Sequence, residues 1–147
     1  MSQENVEIVR RVFEKASGRA GPRTGVLDAL DADAVAVIVE SLDPEIEFHE
    51  DSRFPEAGVY RGIEAVRDYW NRFAESFDEF SFEVEDFVDL EEGRVLLLFT
   101  LTTRGKDSGA TAEARPGWIY TIRDGLTARI DAFLDRDEAL EAAGLSE

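Results

Sequence analysis

The sequence predicts an α+β fold: a cone in which N-terminal helices cover the concave face of a strongly bent antiparallel, or mixed, sheet. Three observations predict it. Helical spacing of apolar residues fills most of the first half of the chain, and an amphipathic stretch from Gly58 to Phe77 follows a short strand carrying the sole histidine, His49. From Phe80 to Leu134 the pattern is then strand-like almost without interruption. Helices first and sheet afterwards leave a pocket between the layers, of a size suited to a small molecule.

Ser2 caps a first helix running to about Ala16, with Val6, Val9, Phe13 and Ala16 at helical spacing and Ile8 and Val12 widening the stripe. Gly18 to Gly25 is a loop by composition. A second helical pattern runs from about Val26 to Leu42, ended by the Asp43-Pro44 pair. Glu45 to Glu50 alternates as a strand, with Ile46, Phe48 and Glu50 on one face and Glu47 and His49 on the other. After a loop from Asp51 to Arg61, the helix from Gly62 puts Ile63, Val66, Trp70, Phe73 and Phe77 on one stripe.

Phe80, Phe82 and Val84 alternate and then slip to Phe87, which predicts a bulge near Glu85 and Asp86. Val95 to Leu101 is apolar on both faces, as expected of a central strand covered twice, and Arg104 begins a Gly-rich turn to Gly109. Asp124-Gly125 is the favoured two-residue loop of a hairpin. Pairing Arg123 with Leu126 sets Trp118 opposite Asp131, Tyr120 opposite Arg129 and Ile119 opposite Ile130. One face then holds Trp118, Tyr120, Arg129, Asp131 and Phe133, the other Ile119, Ala128, Ile130 and Ala132, and either could line the pocket. Asp135 caps a last helix, with Glu138 completing a capping box.

At 147 residues the chain is read as one domain, 1–147, without internal repeats. The absence of cysteine removes disulfides and thiolate chemistry and fits a reducing compartment, so a cytoplasmic location is expected. No basic-then-apolar leader and no membrane-length apolar run are present. The formal charge of −17 argues against nucleic acid and anionic membranes as partners. Its sixteen basic residues, mostly Arg, are not clustered, and the excess carboxylates read as a solvated surface. A lone His49 is poor metal-ligand material, and no P-loop, GxGxxG, GxSxG or HExxH occurs, so neither a metal nor another cofactor is expected.

Three segments carry a family resemblance: LDPEIEFHED at 42–51, GVYRGIEAVRDYW at 58–70 and IYTIRDGLTARIDAFLDRDEALEAAGL at 119–145. With the first helix they make most of the chain similar to the SnoaL-like branch of the nuclear transport factor 2-like superfamily, which includes ketosteroid isomerases and polyketide cyclases. The resemblance departs at about 18–38, where extra residues stand. It implies a homodimer and a cone reused for enzymes, binding modules and association domains.

By that resemblance Glu50 falls at the position of the general base of ketosteroid isomerase, against the plainer reading of an exposed strand-end acid. The hydroxyl expected on the first helix is missing, since Val12 or Phe13 stands there, and the strand expected to carry the oxyanion acid reads Gly117-Trp118. Polyketide cyclases of the branch use an acid on the last strand, for which Asp131 is the nearest match; it could equally pair across the hairpin or with Arg129. Phe13, Phe48, Trp70, Trp118, Tyr120 and Ile130 are the candidate pocket walls, with Trp118 and Tyr120 also readable as part of an oligomer surface. The expected function is binding of a small, largely apolar molecule, with cofactor-free acid–base chemistry of isomerase or cyclase type, or else non-catalytic ligand binding or association.

Overall fold

The computed structural model describes residues 2–17, 26–27, 32–53, 57–75, 77–105 and 108–145. Among the described residues four helices and eight strands follow in the order α1 (Ser2–Ser17), β1 (Val26–Leu27), α2 (Ala32–Glu40), β2 (Leu42–His49), β3 (Val59–Arg61), α3 (Ile63–Glu75), β4 (Phe77–Asp89), β5 (Arg94–Gly105), β6 (Thr111–Ala114), β7 (Gly117–Arg123), β8 (Leu126–Phe133) and α4 (Arg136–Ala142). The strands form one mixed sheet, ordered β1-β4-β5-β7-β8-β2-β3, with β6 folded back on β5. Only β2 and β8 run parallel among the described pairs.

Helical spacing places Val6, Val9 and Phe13 of α1 and Val66, Tyr69 and Trp70 of α3 on one face of the sheet, against Ile46, Phe48, Val95, Leu97, Phe99 and Ile130. Helix α4 covers the opposite face, where Ala139 and Ala143 pack on Leu96 and Ile119. Strand β5 is therefore buried on both sides, as its unbroken apolar run requires: Val95, Leu96 and Leu97 are fully buried. Gly117 lets α4 lie this close, because a Cβ there would stand 2.5 Å from that of Ala139. Asp135 caps α4, accepting from the backbone N–H groups of Asp137 (2.7 Å) and Glu138 (3.4 Å). The capping box is half formed, because Glu138 turns its carboxylate to Arg53 instead.

The bulge in β4 falls where the slipped alternation put it. Val84 pairs with Phe99 and Asp86 with Leu98, leaving Glu85 as the extra residue. Its carboxylate accepts from Thr100 Oγ1 at 2.8 Å and pairs with Arg136 at 2.5 Å, tying the bulge to α4.

Four boundaries differ from the sequence reading. Val26 and Leu27 are not helical; they pair with Glu83 and Phe82 as an edge strand. Helix α2 ends at Glu40, where the Ser41 N–H and hydroxyl both turn back to Ile38 O, and β2 starts at Leu42, ahead of Pro44. Phe77 opens β4 and pairs with Gly105, so it lies outside the α3 stripe. The Asp51–Arg61 segment contains β3, which pairs Tyr60 with Phe48. The Gly18–Gly25 loop and residues 28–31 of the expected second helix lie outside the described residues.

The hairpin register is the consequential correction. Asp124 and Gly125 have φ of 55° and 79°, as a type I′ turn demands, and Arg123 does pair with Leu126. After Ile122↔Thr127, however, Thr121 pairs with Arg129, so Ala128 is an extra residue and β8 slips by one. Trp118 stands opposite Ala132, Tyr120 opposite Ile130 and Ile119 opposite Asp131. A slip of one residue exchanges the faces of every later side chain on that strand.

Candidate functional site

The site grows from one row of paired residues. Phe48 on β2 pairs with Ile130 on β8, Ile130 with Tyr120 on β7, and Tyr120 with Val95 on β5. One step along, Ala132 pairs with Trp118 and Trp118 with Leu97. Both rows face the helices. Phe48, Trp70, Phe82, Phe99, Trp118 and Tyr120 meet there as edge-to-face, tilted or stacked rings 4.9–6.5 Å apart. Between these rings and α1 lies a cavity of about 70 Å³, several times the roughly 10–15 Å³ that one water needs by the same measure. Its wall is almost wholly carbon, and Phe13, Phe48, Trp70, Trp118, Tyr120 and Ile130 all line it.

Glu50 is the one carboxylate among the described lining residues. It follows β2 directly, two residues beyond Phe48 and on the same side. Tyr69 of α3 donates its hydroxyl to Glu50 Oε2 at 2.5 Å, and the Asp51 N–H donates to Oε1 at 2.9 Å. Burial against the aromatic wall pushes the Glu50 carboxyl above its ordinary value; the Tyr69 and Asp51 hydrogen bonds pull it back only in part, and the neighbouring Asp51 charge adds to the rise. Tyr69 is itself held between the rings of Tyr60 (4.4 Å) and Phe48 (5.7 Å).

Asp51, the next residue, has the opposite environment. It is buried, yet its oxygens accept from Arg53 Nε (2.8 Å), Arg53 Nη2 (2.6 Å), Arg53 N (2.9 Å) and Leu134 N (2.8 Å). The Arg53 hydrogen bonds hold its carboxyl far below the usual range, outweighing burial. Two adjacent acids are thus driven apart: Asp51 is a structural anion, and Glu50 is an acid whose charge is disfavoured.

Asp131 does not reach the cavity. The extra residue Ala128 turns it to the far face, where Arg129 grips it with Nε–O distances of 3.0–3.1 Å and an Nη2 bond of 2.9 Å. It borders a shallow surface groove with His49, Arg53 and Glu138, and of the two acids singled out only Glu50 borders both groove and cavity. The reading of Trp118 and Tyr120 as an outer oligomer surface is corrected by the same slip: both rings line the cavity, and Tyr120 is buried. His49 bonds Glu47 at 2.9 Å on the outer side, and no cluster of three metal-ligating side chains occurs among the described residues.

Tyr69 went unnoticed in the sequence. Its signal was present, three residues after Val66 on the flank of the α3 stripe. Tyr69 engages the acid itself, so it does not replace the oxyanion-holding hydroxyl that the resemblance places on α1.

The model of the SnoaL-like domain matches residues 24–130. The chain belongs to the SnoaL-like family. No curated protein matches its sequence. Among solved structures, an NTF2-like protein from Burkholderia xenovorans LB400 is similar, with 26% identity, a TM-score of 0.69 and 97% of each chain covered. A candidate SnoaL-like polyketide cyclase from Jannaschia sp. CCS1 has 20% identity and a TM-score of 0.71, over 99% of this chain and 94% of that one. TerC, co-crystallised with polyporic acid, has 18% identity and a TM-score of 0.67, over 95% and 96%. The last two speak to the fold alone. A mixed α+β architecture with a bent, open sheet is thus common to this SnoaL-like chain and its neighbours, and no described helix is long and apolar enough to cross a membrane.

Proposed function

We propose that this SnoaL-like chain binds a small, largely apolar carbonyl compound in the cavity and that Glu50 moves a proton on it without a cofactor. The observation that carries this reading is one carboxylate, desolvated and hydrogen-bonded by Tyr69, at the end of an otherwise carbon-lined cavity. A base of raised pKa is matched to removing a proton from a carbon beside a carbonyl. Glu50 takes that proton, the C–H electron pair becomes the C=C bond of an enolate, and the same acid returns the proton to that carbon or to one conjugated with it. The net reaction is an isomerisation or, where the enolate carbon instead attacks a second carbonyl, a ring closure in which Glu50 returns the proton to the oxygen of the carbonyl attacked. Asp131 has no part in it.

A second reading is binding without chemistry. It is favoured by the poverty of the wall, since Asp131 is turned outward and Glu50 is already engaged by two donors. The relative crystallised with polyporic acid supports a cavity that takes organic ligands under either reading. A cytoplasmic homodimer with no nucleic-acid or membrane partner completes the proposal. It rests on the charge of −17, the lack of cysteine and the family resemblance, and sedimentation at several concentrations tests the dimer.

The deciding experiment is deuterium exchange into the methyl group of acetophenones, followed by NMR. The protein should accelerate it, and Glu50→Gln should lose on the order of 10²-fold or more in rate with binding retained. Exchange unaffected by Glu50→Gln would leave the cavity a binding site only.

A further inference from the structure

Two hydroxyls on the cavity wall have no hydrogen-bond partner among the described residues. Tyr120 lies in the middle of the sheet, buried, with burial alone acting on its phenol, and no hydrogen-bond partner for it occurs among the described residues. Thr127 is 2% exposed, lines the same cavity, and uses only its backbone N–H, which donates to Ser41 O at 2.8 Å. Thr127 pairs with Ile122, two residues from Tyr120 on the same face, so the two side chains are diagonal neighbours. Neither oxygen is among the fully buried side-chain atoms that lack a partner, so both open onto the cavity, where a bound molecule can reach them.

The register also says where this pair sits relative to Glu50. Tyr120 belongs to the row of Phe48 and Ile130, two strands across and two residues along from Glu50. With strands about 4.8 Å apart and a rise of about 3.3 Å per residue, the two Cα atoms are roughly 12 Å apart. Both side chains line the cavity, so their polar groups stand at two separate points of its wall.

We propose that Tyr120, with Thr127 beside it, is a second ligand-binding point, and that the cavity takes a two-ended molecule. Its apolar body presents the reacting carbon to Glu50 and carries at the far end a hydroxyl or other oxygen function held by Tyr120 and Thr127. Tyr120 donates to that oxygen, and Thr127 accepts from it where it carries a proton. This rests on the reading of the cavity as a ligand site with Glu50 at one end, but it concerns binding at the other.

The test compares 4-hydroxyacetophenone with 4-methylacetophenone, two ketones of nearly the same shape that differ in the far-end oxygen. NMR titration against the wild-type chain should show the hydroxy compound binding about three- to tenfold more tightly, the worth of one net hydrogen bond. Tyr120→Phe should abolish the preference; Thr127→Val should reduce it; Glu50→Gln should preserve it. Tyr120→Phe should not lower the melting temperature, since no bond within the protein is lost, and that melt also shows that the variant folds. A preference surviving Tyr120→Phe, a preference abolished by Glu50→Gln, a lowered melting temperature in Tyr120→Phe, or no binding of either ketone would each overturn the inference. Deuterium exchange at the acetyl methyl is read in the same samples. Exchange lost in Glu50→Gln with no Tyr120-dependent preference would sink the second binding point and keep the proton-transfer reading, and the converse pattern would do the reverse.

Discussion

Asp51→Ala is the substitution whose cost the structure specifies most fully. The side chain accepts four hydrogen bonds, three from Arg53 and one from the Leu134 N–H. Removing it has unequal effects on the two donors. The Arg53 side chain is 43% exposed and returns to water, keeping its second partner Glu138, so its loss matters little. The part-buried Leu134 N–H loses its acceptor, and an unsatisfied donor costs about 1–3 kcal/mol, the low end applying at partial burial. Urea denaturation at neutral pH should show the midpoint lowered by roughly 1 M, with the slope unchanged. The pH dependence gives a second check. Asp51 has a folded-state pKa below its ordinary value of 3.8, so its contribution is present above that value and is lost as pH falls through the folded pKa. The gap between wild type and Asp51→Ala should therefore narrow in acid, while Asp51→Asn, which keeps an acceptor for Leu134, should lose less. A wild-type midpoint for Asp51→Ala, or a loss equally large in strong acid, would refute the assignment of Asp51 as a structural anion.

Three further outcomes follow from single distances and burial. Gly117→Ala puts a methyl 2.5 Å from Ala139 Cβ and should destabilise by about 1–3 kcal/mol as α4 is pushed away; an unchanged denaturation midpoint would mean α4 does not pack there. Trp70→Ala empties a 7%-exposed site between Phe48 and Trp118 and should cost roughly 3–5 kcal/mol by the same assay. Glu50 has a folded-state pKa above its ordinary 4.5, so the folded state holds the extra proton between the two values and its stability falls as pH rises through that window. Glu50→Gln should therefore gain stability relative to wild type across that window and hold a constant difference above it, as thermal melts over pH 4–9 would show; a difference independent of pH would mean the carboxyl is solvated.

The fold was legible because its signals are local and repeat along each element. The α1 and α3 stripes, the doubly apolar β5, the slip at Glu85 and the Asp124-Gly125 turn each state their structure within ten or so residues. Val26–Leu27 was not legible as a strand, because two residues hold no period and their pairing with β4 comes from far along the chain. Glu50 was legible as an inward acid because Ile46 and Phe48 fix the phase of β2. Its partner was not, because the Tyr69–Glu50 bond joins residues 19 apart through the packing of α3 on the sheet.

The error at Asp131 has a general physical cause. A type I′ turn fixes pairing only for the residues beside it, and each further pair inherits the register until a bulge resets it. In β8 the reset comes at Ala128, three residues from the turn, and the turn itself does not announce it. The alternation is ambiguous in either phase. One phase buries Arg129 and Asp131 and exposes Ile130; the other buries Ile130 and Ala132 and lets Arg129 close on Asp131 in water. Burying an ion pair costs several kcal/mol per ion before any attraction is recovered, whereas burying Ile130 is favourable by about 1.5–3 kcal/mol. Both terms favour the slipped register, so the bulge is the response of the strand to its own composition. The cavity inherits the result: Ile130 and Ala132 beneath Tyr120 and Trp118, with Glu50 left as the acid that the wall retains.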